Sequence, residues 1–227
     1  MEIVPGIHQV DGVNGNCYII VKDTLTIIDT GLPHNSAKIV NYITEILKRK
    51  PSDIKTIVLT HAHIDHTGNV YDLKKISNAD VAIHEADADY LAGKKHPPLP
   101  KSLFAMIVKI MGLFFKVRSV EPDIQLKNGD TLAGMTCIHT PGHTPGSICL
   151  FDPSSQVMFV GDLLRFDGEK IEGAPQQFTV DAAEAQRSIK KIVARDFAIM
   201  LSGHGLPLKP DASSKVREYA ESLSEQA

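Results

Sequence analysis

An α/β fold is what this sequence predicts: two sheets packed face to face with helices outside, a four-layer αββα sandwich. Two observations carry the expectation. Short β-rich apolar runs dominate both halves of the chain, and in each half they alternate with segments of helical periodicity. Two facing sheets covered by helices would bury all of these apolar runs.

The elements follow in order. Ile7 to Asp11, Asn16 to Val21 and Leu25 to Asp29 are strand-like runs separated by turn residues, and the third ends in Ile28-Asp29-Thr30-Gly31. A helix is expected from about Asn35 to Arg49, because Ile39, Val40, Ile43, Ile46 and Leu47 recur at helical spacing. Lys48, Arg49 and Lys50 suit its C-terminal dipole and Pro51 stops it. Ile54 to Thr60 reads as a buried strand, Val70 to Ile76 as a short helix, and Val81 to His84 as another strand. The three prolines of Gly93 to Pro100 exclude regular structure there. Strands return after Ile124, at Thr136 to His139, Ser147 to Phe151 and Val157 to Val160. A helix begins near Asp181, with Glu184 placed for a capping box, and runs to about Ala194. Phe197 to Leu201 is a buried strand, and Pro210 opens a last helix with Ala212, Val216, Tyr219 and Leu223 on one face.

Composition excludes several classes. Hydrophobic residues at 43% and charged residues at 22% are those of an ordinary globular chain, not of a disordered or fibrous one. With 24 Lys+Arg against 27 Asp+Glu, no basic excess points to nucleic acid. Cys17, Cys137 and Cys149 are odd in number and lack CxxC spacing, so they read as small buried hydrophobes rather than a disulfide framework. Reduced thiols, with no signal-like leader at the N-terminus, suit a cytoplasmic location. No apolar run reaches the ~18 residues of a membrane-spanning helix.

The chemistry concentrates in the histidines. His61, His63, Asp65 and His66 place four metal-capable side chains in six residues, directly after a buried strand. In an extended segment residues two apart face the same way, so His61 and His63 can address one point. Asp65 and His66, at a turn or helix start, can address a second point nearby. Three later residues complete the set: His143 in Thr140 to Gly146, Asp162 after Val160-Gly161, and His204 between Gly203 and Gly205. Flanking glycines permit sharp turns that aim a single side chain inward. His8, His34, His84, His96 and His139 lie outside these motifs and read as structural or surface residues.

These motifs, in this order, resemble those of the metallo-β-lactamase superfamily. His61 to His66 matches its HxHxDH motif, and IDTG, TPGHTPGS, the aspartate of GD and the histidine of GHG match its others. The resemblance runs from about Gly6 to Leu206. It implies one domain of that type over residues 1–227, with an apolar insertion at about 93–120. It also implies two divalent metal ions, Zn²⁺ first and Fe or Mn as alternatives. His61, His63 and His143 would hold one ion, Asp65, His66 and His204 the other, and Asp162 would bridge them. Asp29 would support the ligand shell from behind, and Asp65 could also carry a proton to the leaving group. The implied activity is hydrolysis of a carbonyl ester-like bond, a thioester or a lactone, by a metal-bridging hydroxide.

Departures narrow the field. Zinc β-lactamases of two subclasses carry arginine where His66 stands and cysteine where Asp162 stands, and the third lacks the bridging aspartate. A weak β-lactamase activity therefore stands as an alternative rather than the main reading. A mononuclear-iron oxidoreductase resembling the persulfide dioxygenases is the runner-up reading, because such sequences also contain HxHxDH-like motifs. A non-catalytic metal-binding module is a third, opposed by the intact seven-residue set. Glyoxalase II grips glutathione with an additional C-terminal helical region, and about twenty residues follow Leu206 here, so a glutathione thioester is not the expected substrate. Arg165 stands where lactonases of this fold commonly have tyrosine. The segment Leu103 to Phe115 is apolar on nearly every face. As a wall over the site it would select a small-molecule substrate with an apolar acyl part. As a contact surface it would make a homodimer or dock on a membrane surface, and as ordinary core it would pack within the monomer.

Overall fold

The computed structural model describes residues 1–98 and 118–225. The segment Leu103 to Phe115, and with it most of the expected insertion, lies outside the described residues. These fall into two compact units, one comprising Met1–Pro97 and residues 118–126, the other principally residues 127–225.

The first unit is built on a seven-stranded sheet: β1 (Glu2–Val4), β2 (Ile7–Val10), β3 (Cys17–Val21), β4 (Leu25–Ile28), β5 (Ile54–Val58), β6 (Asp80–His84) and β7 (Ile124–Leu126). The strands lie in sequence order, antiparallel from β1 to β4 and parallel from β4 to β7. The parallel half needs crossovers, and helices supply them. These are α1 (Ser36–Asn41), α2 (Ile64–Thr67), α3 (Val70–Ser77) and α4 (Glu85–Leu91). Ile19, Leu25, Ile27, Ile39, Ile43, Ile57, Leu73, Val81 and Ile83 share one core. Each such fully buried side chain contributes about 1.5–3 kcal/mol of transfer free energy.

The expected helix over residues 35–49 is shorter. After Asn41 it widens into a π-helical turn, Tyr42–Ile46, with Leu47 N–H bonded to Tyr42 C=O at 3.1 Å. Lys48 then adopts φ 54°. Arg49 is drawn away to the carbonyls of Lys22 and Asp23 and to Asp53 Oδ2, at 3.2, 2.7 and 2.7 Å. Arg49 therefore ties a neighbouring hairpin instead of extending the helix.

The second unit holds β8 (Thr131–Leu132), β9 (Met135–His139), β10 (Ile148–Asp152), β11 (Val157–Gly161), the hairpin β12 (Leu164–Phe166) with β13 (Ile171–Gly173), and β14 (Ile199–Ser202). The main sheet has the order β14-β11-β10-β9-β8, with β11 and β14 parallel and the other pairs antiparallel. Two helices pack on it, α5 (Ala182–Val193) and α6 (Ala212–Glu225). Ala185, Ile189 and Ile192 of α5 and Ala212 and Val216 of α6 join Cys149, Met158 and Met200 in its core. The expected capping box on α5 is half formed. Asp181 Oδ1 accepts from Glu184 N–H at 2.9 Å, but the Glu184 carboxylate turns to Arg187. Asp181 N–H instead donates to Gly142 C=O at 2.9 Å.

All three cysteines are buried free thiols. Burial pushes the thiols of Cys137 and Cys149 up to about 12, so they stay protonated and act as apolar core residues. Among the described residues no helix is long and apolar enough to cross a membrane.

Candidate metal centre

In parallel sheets, ligand sites gather where the carboxyl ends of the strands open. In the first unit Asp29 follows β4, His61 to His66 follow β5, and Asp87 follows β6. Strand β5 ends at Val58, earlier than expected, and the His61–His63 stretch is irregular rather than extended. Strand alternation therefore does not aim these two histidines. Hydrogen bonds donated to flanking carboxylates position this stretch.

Asp29 is the organiser. Its Oδ1 accepts from Thr60 N–H at 2.8 Å, and its Oδ2 accepts from Thr60 Oγ1 at 2.7 Å and faces His66 Nδ1 at 2.8 Å. A carboxylate at Nδ1 fixes that nitrogen as the donor and leaves Nε2 with its lone pair. Thr60 extends the same logic. Its only proton goes to Asp29, so at 3.1 Å from His61 Nδ1 it must accept, and His61 is also held as the Nδ1–H tautomer. One aspartate thus orients two imidazoles, the second through a threonine. Asp29 sits at φ 55°, a left-handed conformation that aspartate tolerates better than most residues.

The ligand-capable atoms of the unit lie close together. The rings of His61 and His63 meet edge to face with centroids 4.7 Å apart, and those of His61 and His66 lie 4.1 Å apart. Donor atoms of His61 and His63, of His61 and His66, and of Asp65 and His66 are each within 4.8 Å of one another. His63 caps the short helix α2, its carbonyl accepting from His66 and Thr67 N–H at 3.0 Å each. Asp65, in the first turn, keeps 30% of its side chain exposed. Gly15 lets a neighbouring loop touch this turn, since a Cβ there would fall 2.3 Å from the Asp65 carbonyl oxygen.

In the second unit His143 follows β9, Asp162 follows β11 and His204 follows β14. Strands β9 and β11 both run antiparallel to β10, and β14 is parallel to β11. All three residues therefore leave the same edge of the sheet. Asp162 Oδ2 lies 3.4 Å from His143 Nε2 and 3.5 Å from His204 Nε2. His143 is tautomer-locked as well. Thr179 Oγ1 donates to Pro175 C=O at 2.8 Å and so accepts from His143 Nδ1 at 3.2 Å. Gly142, at φ 133°, makes the turn, and any Cβ on it would meet Ala185 N at 2.2 Å.

Each sequence-predicted site residue thus falls at a strand's carboxyl end. Imidazole lone pairs and carboxylates are a donor set suited to Zn²⁺, and to Fe or Mn, so the residues present fit a divalent metal. Thr60, Thr179 and Asp87 were not expected from the sequence. Thr179 stands 36 residues from the histidine it orients. Of the five histidines read as structural or surface residues, His34 and His96 are exposed and the other three make contacts within the fold. His84 Nδ1 caps α4 by accepting from Ala86 N–H at 3.2 Å, His139 Nε2 pairs with Pro145 C=O at 2.9 Å, and His8 meets Tyr42.

Comparison with known proteins adds four findings. The profile of the metallo-beta-lactamase superfamily matches residues 10–204. The "Probable metallo-hydrolase YflN" of Bacillus subtilis is 30% identical over 98% of this chain and 93% of its own length. The acyl-coenzyme A thioesterase MBLAC2 of Bos taurus is 29% identical over 78% of this chain and 68% of its own. Among solved structures, BJP-1, a subclass B3 metallo-beta-lactamase of Bradyrhizobium japonicum, aligns with a TM-score of 0.70. It is 24% identical and covers 100% of this chain and 90% of its own, a likeness of fold alone.

Proposed function

The chain belongs to the metallo-beta-lactamase superfamily and is a metal-dependent hydrolase, and on that premise we propose that it cleaves an acyl thioester at a dinuclear metal centre. The observation that carries the reading is the paired donor set. Tautomer-locked histidines stand at strand ends in both units, and in the second unit a carboxylate, Asp162, has two imidazole neighbours.

In this reading His61, His63 and His143 hold one ion, Asp65, His66 and His204 hold the other, and Asp162 serves both. The bound ions would supply Lewis acidity toward the acyl carbonyl and a water acidified to a pKa of roughly 7. The remaining work belongs to the chain. Asp29 and Thr60 hold His61 and His66 with Nε2 lone pairs forward, and Thr179 does the same for His143. Asp65, part-exposed, would take up the proton that the attacking water gives up and pass it to the leaving sulfur, so that water and thioester leave as carboxylic acid and thiol. The choice of a thioester before a lactone is supported by the similarity to an acyl-coenzyme A thioesterase. Arg165, turned to Glu172 at 2.6 Å, stands where a lactonase would carry tyrosine.

The test is a hydrolysis panel of acyl thioesters, lactones, β-lactams and phosphodiesters on Zn²⁺-reconstituted protein. Acyl thioesters should show the highest kcat/KM, and His66→Ala should lower metal content and hydrolysis together. Preference for any other bond class overturns the substrate. Unchanged metal content in His66→Ala removes it from the ligand set.

A further inference from the structure

Asp87 is a fully buried carboxylate, 0% exposed, that the hydrolytic reading does not use. It lies in the first turn of α4, where an acidic side chain ordinarily serves the helix's own unbonded N–H groups. His84 already caps that helix end through Ala86 N–H. Asp87 turns instead to a segment 25 residues earlier, where its Oδ2 accepts from Ala62 N–H at 2.9 Å.

That amide belongs to the peptide unit joining His61 to Ala62, and Ala62 in turn leads into His63. A bond there fixes the plane from which both imidazoles project. The backbone pattern shows that the plane has been rotated. Leu59 N–H bonds to Ala82 C=O on β6, and Thr60 N–H bonds to Asp29 on the β4 side. Continued alternation would send the Ala62 N–H toward β4 again. It goes to Asp87, which follows β6. The chain therefore twists between Thr60 and Ala62, and two carboxylates, Asp29 on one flank and Asp87 on the other, hold the two sides of the twist.

We propose that Asp87 is a positioning residue that holds the His61–His63 segment in its metal-binding conformation through the Ala62 amide. The inference rests on the metal centre argued above. Burial of a carboxylate is costly unless it is hydrogen-bonded, so its retention at this amide is explained by the segment it holds. Partners behind the ligands of a metal site typically govern affinity by roughly 10–100-fold.

The experiment is competition of Zn²⁺ and Co²⁺ binding against a chelator, with melts of metal-free protein beside it. Asp87→Ala should weaken binding by roughly 10–100-fold and shift the Co²⁺ d–d bands. Asp87→Asn keeps an acceptor oxygen without the charge and should lose less, because charge-assisted bonds are about twice as strong as neutral ones. A merely structural role would lower the metal-free Tm and leave affinity and spectrum at wild-type values, and that result overturns the proposal. If Asp87→Ala does not fold, Asp87→Asn decides alone: weakened binding at an unchanged metal-free Tm supports the proposal, and wild-type affinity overturns it. Wild-type protein that takes up no metal overturns the centre itself, a separate failure that removes this inference with it.

Discussion

At the residue scale the candidate site is a chain of tautomer assignments. Asp29 receives three donors on two oxygens, and those bonds decide which nitrogen of His61 and of His66 carries the lone pair. This predicts an unusual sensitivity of Asp29 to an isosteric change. Asp29→Asn keeps the size and tolerates the left-handed backbone. Its amide nitrogen cannot accept, however, so either Thr60 or His66 faces a donor with a donor. Metal affinity should fall by roughly 10–100-fold in chelator competition, and the metal-free protein should lose far less in a denaturant melt. Equal losses in the two measurements would mean that Asp29 serves the fold alone.

At the scale of elements, glycine turns deliver the candidate ligands of the second unit. Gly142 joins β9 to His143 at φ 133°, with the α5 backbone against it. Its carbonyl accepts from Asp181 N–H, and His143 C=O accepts from Val180 N–H at 3.2 Å. Gly142→Ala should cost at least about 1–3 kcal/mol from backbone strain, before the contact with Ala185 is counted. Urea denaturation measures that loss, which should come with a lower metal content. Such turns are legible in a sequence because glycine and histidine alternate within a few residues. The long strands are legible for a related reason: β3, β4, β10 and β11 are almost wholly buried and read as unbroken apolar runs. Short or half-exposed elements are not. Helix α4, Glu-Ala-Asp-Ala-Asp-Tyr-Leu, buries only Asp87, Ala88 and Leu91, too little for a period to show. The hairpin β12–β13 is half-buried, and its strands of three residues are too short for an alternating pattern to stand out. The seven candidate ligand positions are marked by local motifs. The groups that orient them, Thr179 and Asp87, act across 36 and 25 residues, and no local pattern encodes such a pairing.

At the scale of the whole molecule, the dinuclear reading makes the two units share their metal ions, since His61, His63, Asp65 and His66 come from one and His143, Asp162 and His204 from the other. Metal that binds only the folded chain stabilises it by about 2.7 kcal/mol when present at a hundredfold excess over its Kd. For a chain of this length 1 kcal/mol corresponds to roughly 2–4 °C in Tm. Removing the metal with a chelator should therefore lower Tm by about 5–11 °C. Hydrogen exchange then asks where the stability is lost. If one centre draws on both donor sets, residues 61–66 in the first unit and the loops carrying His143, Asp162 and His204 in the second should lose protection at the same chelator concentration. Restoring Zn²⁺ should return both sets together. Protection lost in one unit while the other is unchanged would mean that each donor set binds, or fails to bind, by itself, and the shared centre would be wrong even if metal content were high. The cores built on Ile19, Ile27 and Ile57 and on Cys149, Met158 and Met200 serve as internal controls, because burial holds them without any metal.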